Sequence, residues 1–407
     1  MTKERKIKDF IYNAITYIAS SFSILILIAI FSFVVVKGKD SLSFDMIRND
    51  YWSQNYLVSF DSKSPHEFPA PDNMSEGHAY SSQYGIEVKD FINHEKQKQV
   101  VIVKVEEDSI FNHSVNASAG PDKGKTQRVQ AGDQIEKMTL VNDDGSKKNI
   151  GMIYKSNAED VVNALEESQS VESLYYKTPG GGIWGSLVAT LMLIAISLLI
   201  ALPLGMFAAI YLNEISNKGK IARLIEYSID LLAGVPSIIF GLMGVIVLYP
   251  ITSLFKIEGL SILLGALTMS VILLPVIIRS IQESLKVVPD GLRMASLSLG
   301  ATKTQTIFKI ILPSALPGIL SAVLLAISRV IGESAALIYT MGTFVNDAPQ
   351  IGQGATSLAV HIWSVMSQEQ PNFELASAIS IIILAIVLVL NLSVKFFSNR
   401  LERKLGH

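Results

Sequence analysis

The stretch ISRVIGESAAL places Arg329 and Glu333 four residues apart inside an apolar run from Ala315 to Thr340. On one continuous helix that spacing puts a guanidinium and a carboxylate on the same face. A charge at mid-membrane costs about 2.5–3.5 kcal/mol on insertion scales, so such residues face a cavity or a protein partner, not lipid. Counted from Pro317, Arg329 lies twelve residues in. At about 1.5 Å per residue that is roughly 18 Å, near the middle of an apolar core about 30 Å thick. Arginine there offers charge-assisted hydrogen bonds to the oxygens of a passing anion. A nearby carboxylate would weaken that grip enough for release, and Gly332 between the two leaves room for a substrate or another backbone. The same pair also suits a structural ion pair locking one helix to its neighbours. Arg279 ends another apolar run and is a weaker candidate for the path, because basic side chains at helix ends snorkel. Glu214, just past YLN, reads as a helix-end residue.

Other chemistries are excluded. With no cysteine, disulfides, thiolate metal sites and cysteine nucleophiles are absent. The six histidines include His94-Glu95-Lys-Gln-Lys98, which lacks the second histidine of a metalloprotease helix. His361 alone approaches the apolar segments and reads as an interfacial residue. Gly120-Pro-Asp-Lys-Gly-Lys-Thr126 is one residue short of a phosphate-binding P-loop between its glycines. Asn73, Asn112 and Asn116 head Asn-x-Ser triplets that matter only in a eukaryotic secretory route. Thirty-four basic against 36 acidic residues leave no bias toward nucleic acid. No metal ligand set and no bound cofactor are expected.

The elements that must position these residues are apolar. Of 407 residues, 49% are hydrophobic and 17% charged, where about 25% charged is ordinary for soluble proteins. Six runs are long enough to span a membrane: Ile11 to Val36, Ile183 to Leu212, Ile229 to Ile251, Leu260 to Ile281, Ala315 to Thr340, and Phe373 to Phe397. The first exceeds a signal peptide's core and lacks a small-residue cleavage site, so it reads as a retained helix. Lys and Arg crowd one set of flanks: the N-terminus, residues 218–223, residues 279–309, and residues 395–404. The opposite short loops contribute only Lys256. Both termini are therefore expected in the cytoplasm, with residues 37–182 outside. Pro203 with Gly205, Pro236 with Gly241, and Pro275 are expected to interrupt the second, third and fourth spans, marking a permeation face or hinge.

The longest cytoplasmic connection, residues 282–317, holds a short amphipathic pattern from Leu292 to Leu299, ended by Gly300, with Thr302 placed to cap the next helix. A short helix between two turns suits docking into a groove of a soluble partner, and a helix lying in the headgroup region is the plainer alternative. Here the sequence resembles the ABC-importer permeases, whose E-A-A, Gly, Ile-x-Leu-Pro pattern falls on Met294, Ala295, Ser296, Gly300, Ile310, Leu312 and Pro313. Met294 stands where the family has Glu, and Ser296 where it has Ala, which removes the expected salt bridge to the ATPase. The stretches GGGIWGSLVAT, PLGMFAAIYLNE, LLAGVPSIIFGLMG, LGATKTQTIFKIILPSALPGIL and ISRVIGESAALIYTMG are similar to the phosphate-specific subfamily of the PstA type. The likeness is loose over residues 1–36 and nearly continuous over 180–407. It implies a PstC-type permease partner, a dimer of cytoplasmic ATPase subunits that use the ATP, and an extracytoplasmic phosphate-binding protein. It also implies a role for Arg329 in phosphate passage.

The insert departs from that family, which has a shorter loop. Residues 37–79, rich in Ser, Asp, Asn and Pro, read as a tether. From Tyr80, QVVIVKVEEDSI alternates at Val101, Val103 and Val105 as a strand does, and VQAGDQIEKMTLVNDDGS reads as strand, Asp-Gly turn and strand. NAEDVVNALEES reads as an Asn-capped helix. In this order residues 80–178 resemble a PDZ domain, with Tyr84-Gly85-Ile86 as the carboxylate-binding loop and Ala131 to Ile135 as the family's G-D-x-I turn. The resemblance implies peptide capture by strand addition; a small domain that braces the binding protein is the alternative.

The expectation is an α-helical membrane protein: six transmembrane helices of the ABC importer permease (MetI-like) type, plus a small α+β PDZ-like extracytoplasmic domain between helices 1 and 2. Its parts are residues 1–36, 37–79, 80–178 and 179–407, with the coupling loop at 282–313. Such a chain is a non-enzymatic subunit in a prokaryotic cytoplasmic membrane, moving inorganic phosphate inward. Sulfate or molybdate as cargo, or a sensor of extracytoplasmic peptides, are the alternatives.

Overall fold

The computed structural model describes residues 3–60, 67–71, 74–75, 77–92, 98–216, 219–369 and 371–405. His66, Asn73, His94, Glu95, Lys218 and His407 lie outside the described residues. Packing divides the chain into two units, Met1–Arg48 with Ile183–His407, and Asn49–Gly182. Helices α1 (Lys3–Gly38) and α2 (Phe44–Arg48) open the first unit.

The second unit is a sheet with one long helix. Strands β1 (Asn55–Ser59), β2 (His78–Ser81), β3 (Ile86–Ile92), β4 (Lys98–Val105), β5 (Val115–Asn116), β6 (Gln134–Val141), β7 (Lys147–Ile150) and β8 (Ser170–Lys177) join helix α3 (Ala158–Glu166). The order is β2-β3-β4-β6-β8-β1-β5, with β7 on β6. β1 lies inside the stretch expected as a tether, pairing with β8 and β5. The unit thus begins before Tyr80. β4 also differs in phase: Val100 and Ile102 are the deeply buried residues, while Val103 and Val105 are half-buried. Register, not the spacing of valines alone, decides which face meets the core. The β6–β7 hairpin turns at Gly145, whose φ of 79° suits glycine. Asn157 caps α3 reciprocally with Asp160, as its sequence predicts.

The helical unit resumes with α4 (Trp184–Ile210), α5 (Lys220–Gly234), α6 (Ser237–Met243), α7 (Tyr249–Ser253) and α8 (Ile262–Val287). After these come α9 (Asp290–Ser298), α10 (Lys303–Thr306), α11 (Leu312–Gly332), α12 (Ala335–Thr340), α13 (Leu358–Met366) and α14 (Phe373–Leu405). Wider π turns occupy Tyr211–Ile215, Gly244–Leu248 and Ile307–Ile311. Among the described residues, five helical segments are long and apolar enough to cross a membrane. A sixth exists only if Lys220–Gly234 and Ser237–Ser253, bent by 104°, are taken as one span. The third expected span is therefore not a continuous helix. Pro236 has no N–H to donate and forces Val235 into extended backbone (φ −79°, ψ 129°), which ends α5. Pro203 and Pro275, expected to interrupt their spans, lie inside α4 and α8 without breaking them.

The core is the packing of α4, α8 and α11, with Leu193, Ala201, Met269, Leu273, Ile277, Ala322 and Ala326 essentially dry. Gly205 lets α4 approach α8 closely, since a Cβ there would lie 2.6 Å from the Ile277 side chain. The fifth expected span also breaks: α11 stops at Gly332, and Glu333 is extended (φ −78°, ψ 127°) before α12 begins. The two short helices beyond these breaks, α6 and α12, pack on one another with Gly241 against the Ala336 backbone.

Candidate functional site

Arg329 sits in the last turn of α11, and Glu333 is that helix's C-cap. The expected shared helical face is thus replaced by a helix end. Arg329 Nη2 lies 3.9 Å from Glu333 Oε2, the outer limit of an ion pair. The Glu333 side chain is 8% exposed against 46% for Arg329. Glu333 Oε1 accepts from the Ala336 N–H at 3.4 Å, turning the carboxylate toward the start of α12. So the acid braces the break, and the Arg329 side chain stays half-exposed.

Arg279 forms a close ion pair with Asp230 of α5, both about half exposed. It lies well inside α8, which runs on to Val287, so it is not the helix-end residue expected. Asp230 itself was hidden in the sequence by the apolar run around it.

A cleft of about 650 Å³ follows one face of α8 and α11. Ser280, Glu283 and Ser284 line one wall, and Ser314, Gly318 and Ser321 the other, with Leu325 at one end. Arg329 continues the α11 wall one turn beyond Leu325. Ser284, Ser314 and Ser321 donate to the carbonyls four residues back, at 2.7, 2.7 and 3.1 Å. Their oxygens remain available as acceptors.

The expected coupling helix is α9, begun by Pro289 and followed by Gly300 at φ 85°. It exposes apolar side chains beside the charged Asp290: Met294 is 65% exposed, and Leu297 and the C-cap Leu299 are exposed as well. Ala295 is exposed, while Ser296 is half-buried with its Oγ 2.9 Å from Thr306 Oγ1. Thr302 and Gln305 cap α10 reciprocally. Ile310 lies in the π turn, with Leu312 and Pro313 starting α11.

The pattern missed its neighbour Arg293. Arg293 Nη2 donates to Glu214 Oε1 at 2.8 Å and to the Leu285 carbonyl at 2.8 Å. Its Nη1 donates to the Val288 carbonyl at 2.6 Å and to Asp290 Oδ1 at 3.1 Å, and Nε reaches Glu214 Oε2 at 3.3 Å. The Glu214 side chain is 8% exposed and that of Arg293 18%. Glu214, expected as an unremarked helix end, thus joins the π turn after α4 to α9. The only sequence signal was an acid near the end of one span and an arginine after the end of another.

In the sheet unit, Tyr84 and Ile86 are buried and Gly85 (φ 63°) makes the turn between β2 and β3. β2 already covers the edge of β3 that strand addition would use. The Gly85 N–H bonds the Ser81 carbonyl, and Gln83 N–H and Ser81 Oγ go to Glu166. The expected peptide-binding loop is accordingly a hairpin turn filled by the unit's own groups. The 120–126 segment is a turn in which Lys125 pairs with Asp122.

His361 packs inside the helical unit. It is fully buried on α13, with Nδ1 2.9 Å from Ser186 Oγ, which lies 2.9 Å from Thr356 Oγ1. Burial pushes its imidazole down to about 4, so it is neutral near pH 7.

Several apolar helices long enough to cross a membrane and a bent helix pair fit a multi-pass membrane protein. Residues 201–407 match the family described as binding-protein-dependent transport system inner membrane component, and the chain belongs to it as an ABC importer permease. The PstA likeness is shown by relatives. The probable ABC transporter permease protein YqgI of Bacillus subtilis (strain 168) is 33% identical over 241 residues, covering 56% of this chain and 81% of the relative. The phosphate transport system permease protein PstA 1 of Mycobacterium tuberculosis (strain H37Rv) is 33% identical over 228 residues, covering 55% and 72%. The inward-facing MetNI methionine ABC transporter structure is more distant, at 22% identity and TM-score 0.44 over 54% of this chain and 94% of that one.

Proposed function

We propose that this chain is the permease subunit of an ATP-driven importer of inorganic phosphate. The observation that carries the reading is Arg329, half-exposed at mid-chain of the transport family's match while Glu333 is drawn away to brace α12. An unspent guanidinium beside a hydroxyl-bordered cleft suits brief charge-assisted hydrogen bonding to an oxyanion. In this reading the termini, α9 and the cleft are cytoplasmic, and residues 37–182 are extracytoplasmic. ATP is bound and hydrolysed by a dimer of separate ATPase subunits, which dock on α9. Met294, with Leu297 and Leu299, makes that docking surface apolar in place of the usual acidic one. A PstC-type permease completes the path, and a phosphate-binding protein delivers the anion. The sheet unit braces that delivery, since its candidate peptide edge is covered.

The test is radiolabelled phosphate uptake by the reconstituted complex, wild type against Arg329→Gln, with sulfate and molybdate as competitors. Lost uptake with intact assembly and basal ATPase supports the role of Arg329. Unchanged uptake makes it structural. Competition by sulfate or molybdate, or no phosphate uptake by wild type, overturns the cargo.

A further inference from the structure

Arg293 spends its whole guanidinium on three elements at once. It joins the last carbonyls of α8 at Leu285 and Val288, its own helix at Asp290, and the π turn after α4 at Glu214. Helix ends leave carbonyls without intrahelical partners, and an arginine fork satisfies two of them here. The Glu214 carboxylate takes both Nε and Nη2, and Asn213 Nδ2 adds a third bond at 2.7 Å. Both side chains are largely shielded, so screening by salt is weak. On its other side α9 packs on α10 and on the π turn at Ile307–Ile311, where a neutral polar contact joins Ser296 Oγ to Thr306 Oγ1. α4 and α8, the two helices that Arg293 ties to α9, are the most extensively packed pair of the core.

We infer that Glu214 and Arg293 form the mechanical link by which a displacement of the exposed helix α9 is passed to α4, and that they are positioning residues for ATP-coupled transport. The inference rests on the permease reading above, in which α9 meets the ATPase. A bonded, desolvated pair moves as one body. Without it, α9 stays attached to α8 through Leu285 and Val288 but loses its hold on the end of α4. Removal of Glu214 should therefore uncouple transport without abolishing docking or ATP hydrolysis.

The experiment uses the whole reconstituted complex with Glu214→Ala, Glu214→Gln, and the exchanged pair Glu214→Arg with Arg293→Glu. Phosphate imported per ATP hydrolysed is expected to fall about tenfold in Glu214→Ala, with assembly retained. The exchanged pair should recover part of it, because the ion pair returns while the α8 carbonyl bonds do not. In parallel, amide exchange on adding a non-hydrolysable ATP analogue should change in α9 and in residues 211–215 together in wild type. In Glu214→Ala it should change in α9 alone. Unchanged coupling and a joint exchange response in Glu214→Ala would overturn the link. If that variant does not assemble, Glu214→Gln decides: wild-type coupling in it shows that the charge is not the link. A wild type that imports no phosphate defeats the cargo reading, yet the exchange response still decides the link.

Discussion

Asp133 and His361 show how burial sets a charge state that residue type alone does not. Asp133 is 3% exposed in the sheet unit, and burial pushes its carboxyl up to about 7, opposed by the Gln130 N–H at 2.8 Å. The folded form therefore holds a proton that the unfolded chain gives up above its ordinary 3.8. Stability of this unit should fall as pH rises from about 4 to 7, by roughly 4 kcal/mol at most. Asp133→Asn keeps an acceptor for Gln130 and should remove the slope. His361 has the opposite sign. Its folded value near 4 against 6.5 means the native form is lost as protons are added, so α13 should loosen as pH drops through that window. His361→Gln should flatten that dependence. Amide exchange of β6 and α13, corrected for its chemical pH dependence, checks both; slopes of the same sign would refute the assignment. Neither value was legible beforehand. Asp133 stood in a turn motif, and the fate of His361 depended on Ser186 and Thr356, distant in sequence.

Among the elements, apolar length was readable and continuity was not. Runs of about twenty apolar residues located every long helix, because bilayer thickness imposes that length. Composition could not say which prolines break a helix. Pro203 and Pro275 are absorbed where α4 and α8 support each other, while Pro236 ends α5. Nor could it show that α6 and α12, the pieces beyond the two breaks, meet. Gly241 is their contact, and a Cβ there would lie 2.8 Å from the Ala336 carbonyl oxygen. That neighbour is backbone and yields little. Gly241→Val should cost about 1–3 kcal/mol through overpacking, read as a lower Tm of the purified complex. An unchanged Tm would mean the two pieces part freely. Around α9, Gly300 and the Thr302 cap were legible from local turn chemistry. The Glu214–Arg293 pair was not, since it joins elements 79 residues apart.

Over the whole molecule, the sequence marked where the sheet unit interrupts the helical one, but not what belongs to it. β1 lies in a polar stretch that looks like linker and becomes a strand only by pairing with β8, over a hundred residues later. The transport family was legible because its motifs are local runs; the short motifs of the insert do not by themselves specify a strand order.

The seam between α1 and α14 has a consequence in time. α1 is exposed along its spanning length and packs chiefly on α14, where Gly38 meets the backbone of Ser377 and Ala378. At synthesis rates of about 5–20 residues per second, the ribosome needs tens of seconds between finishing α1 and starting α14. Among the described residues α14 is the main helix that α1 packs on, so through that interval the insertion machinery is expected to hold the first span. Arrested nascent chains with a photoreactive group in α1 should therefore label that machinery until α14 emerges, and then label α14. Labelling that is lost well before α14 is made would show that α1 settles without it.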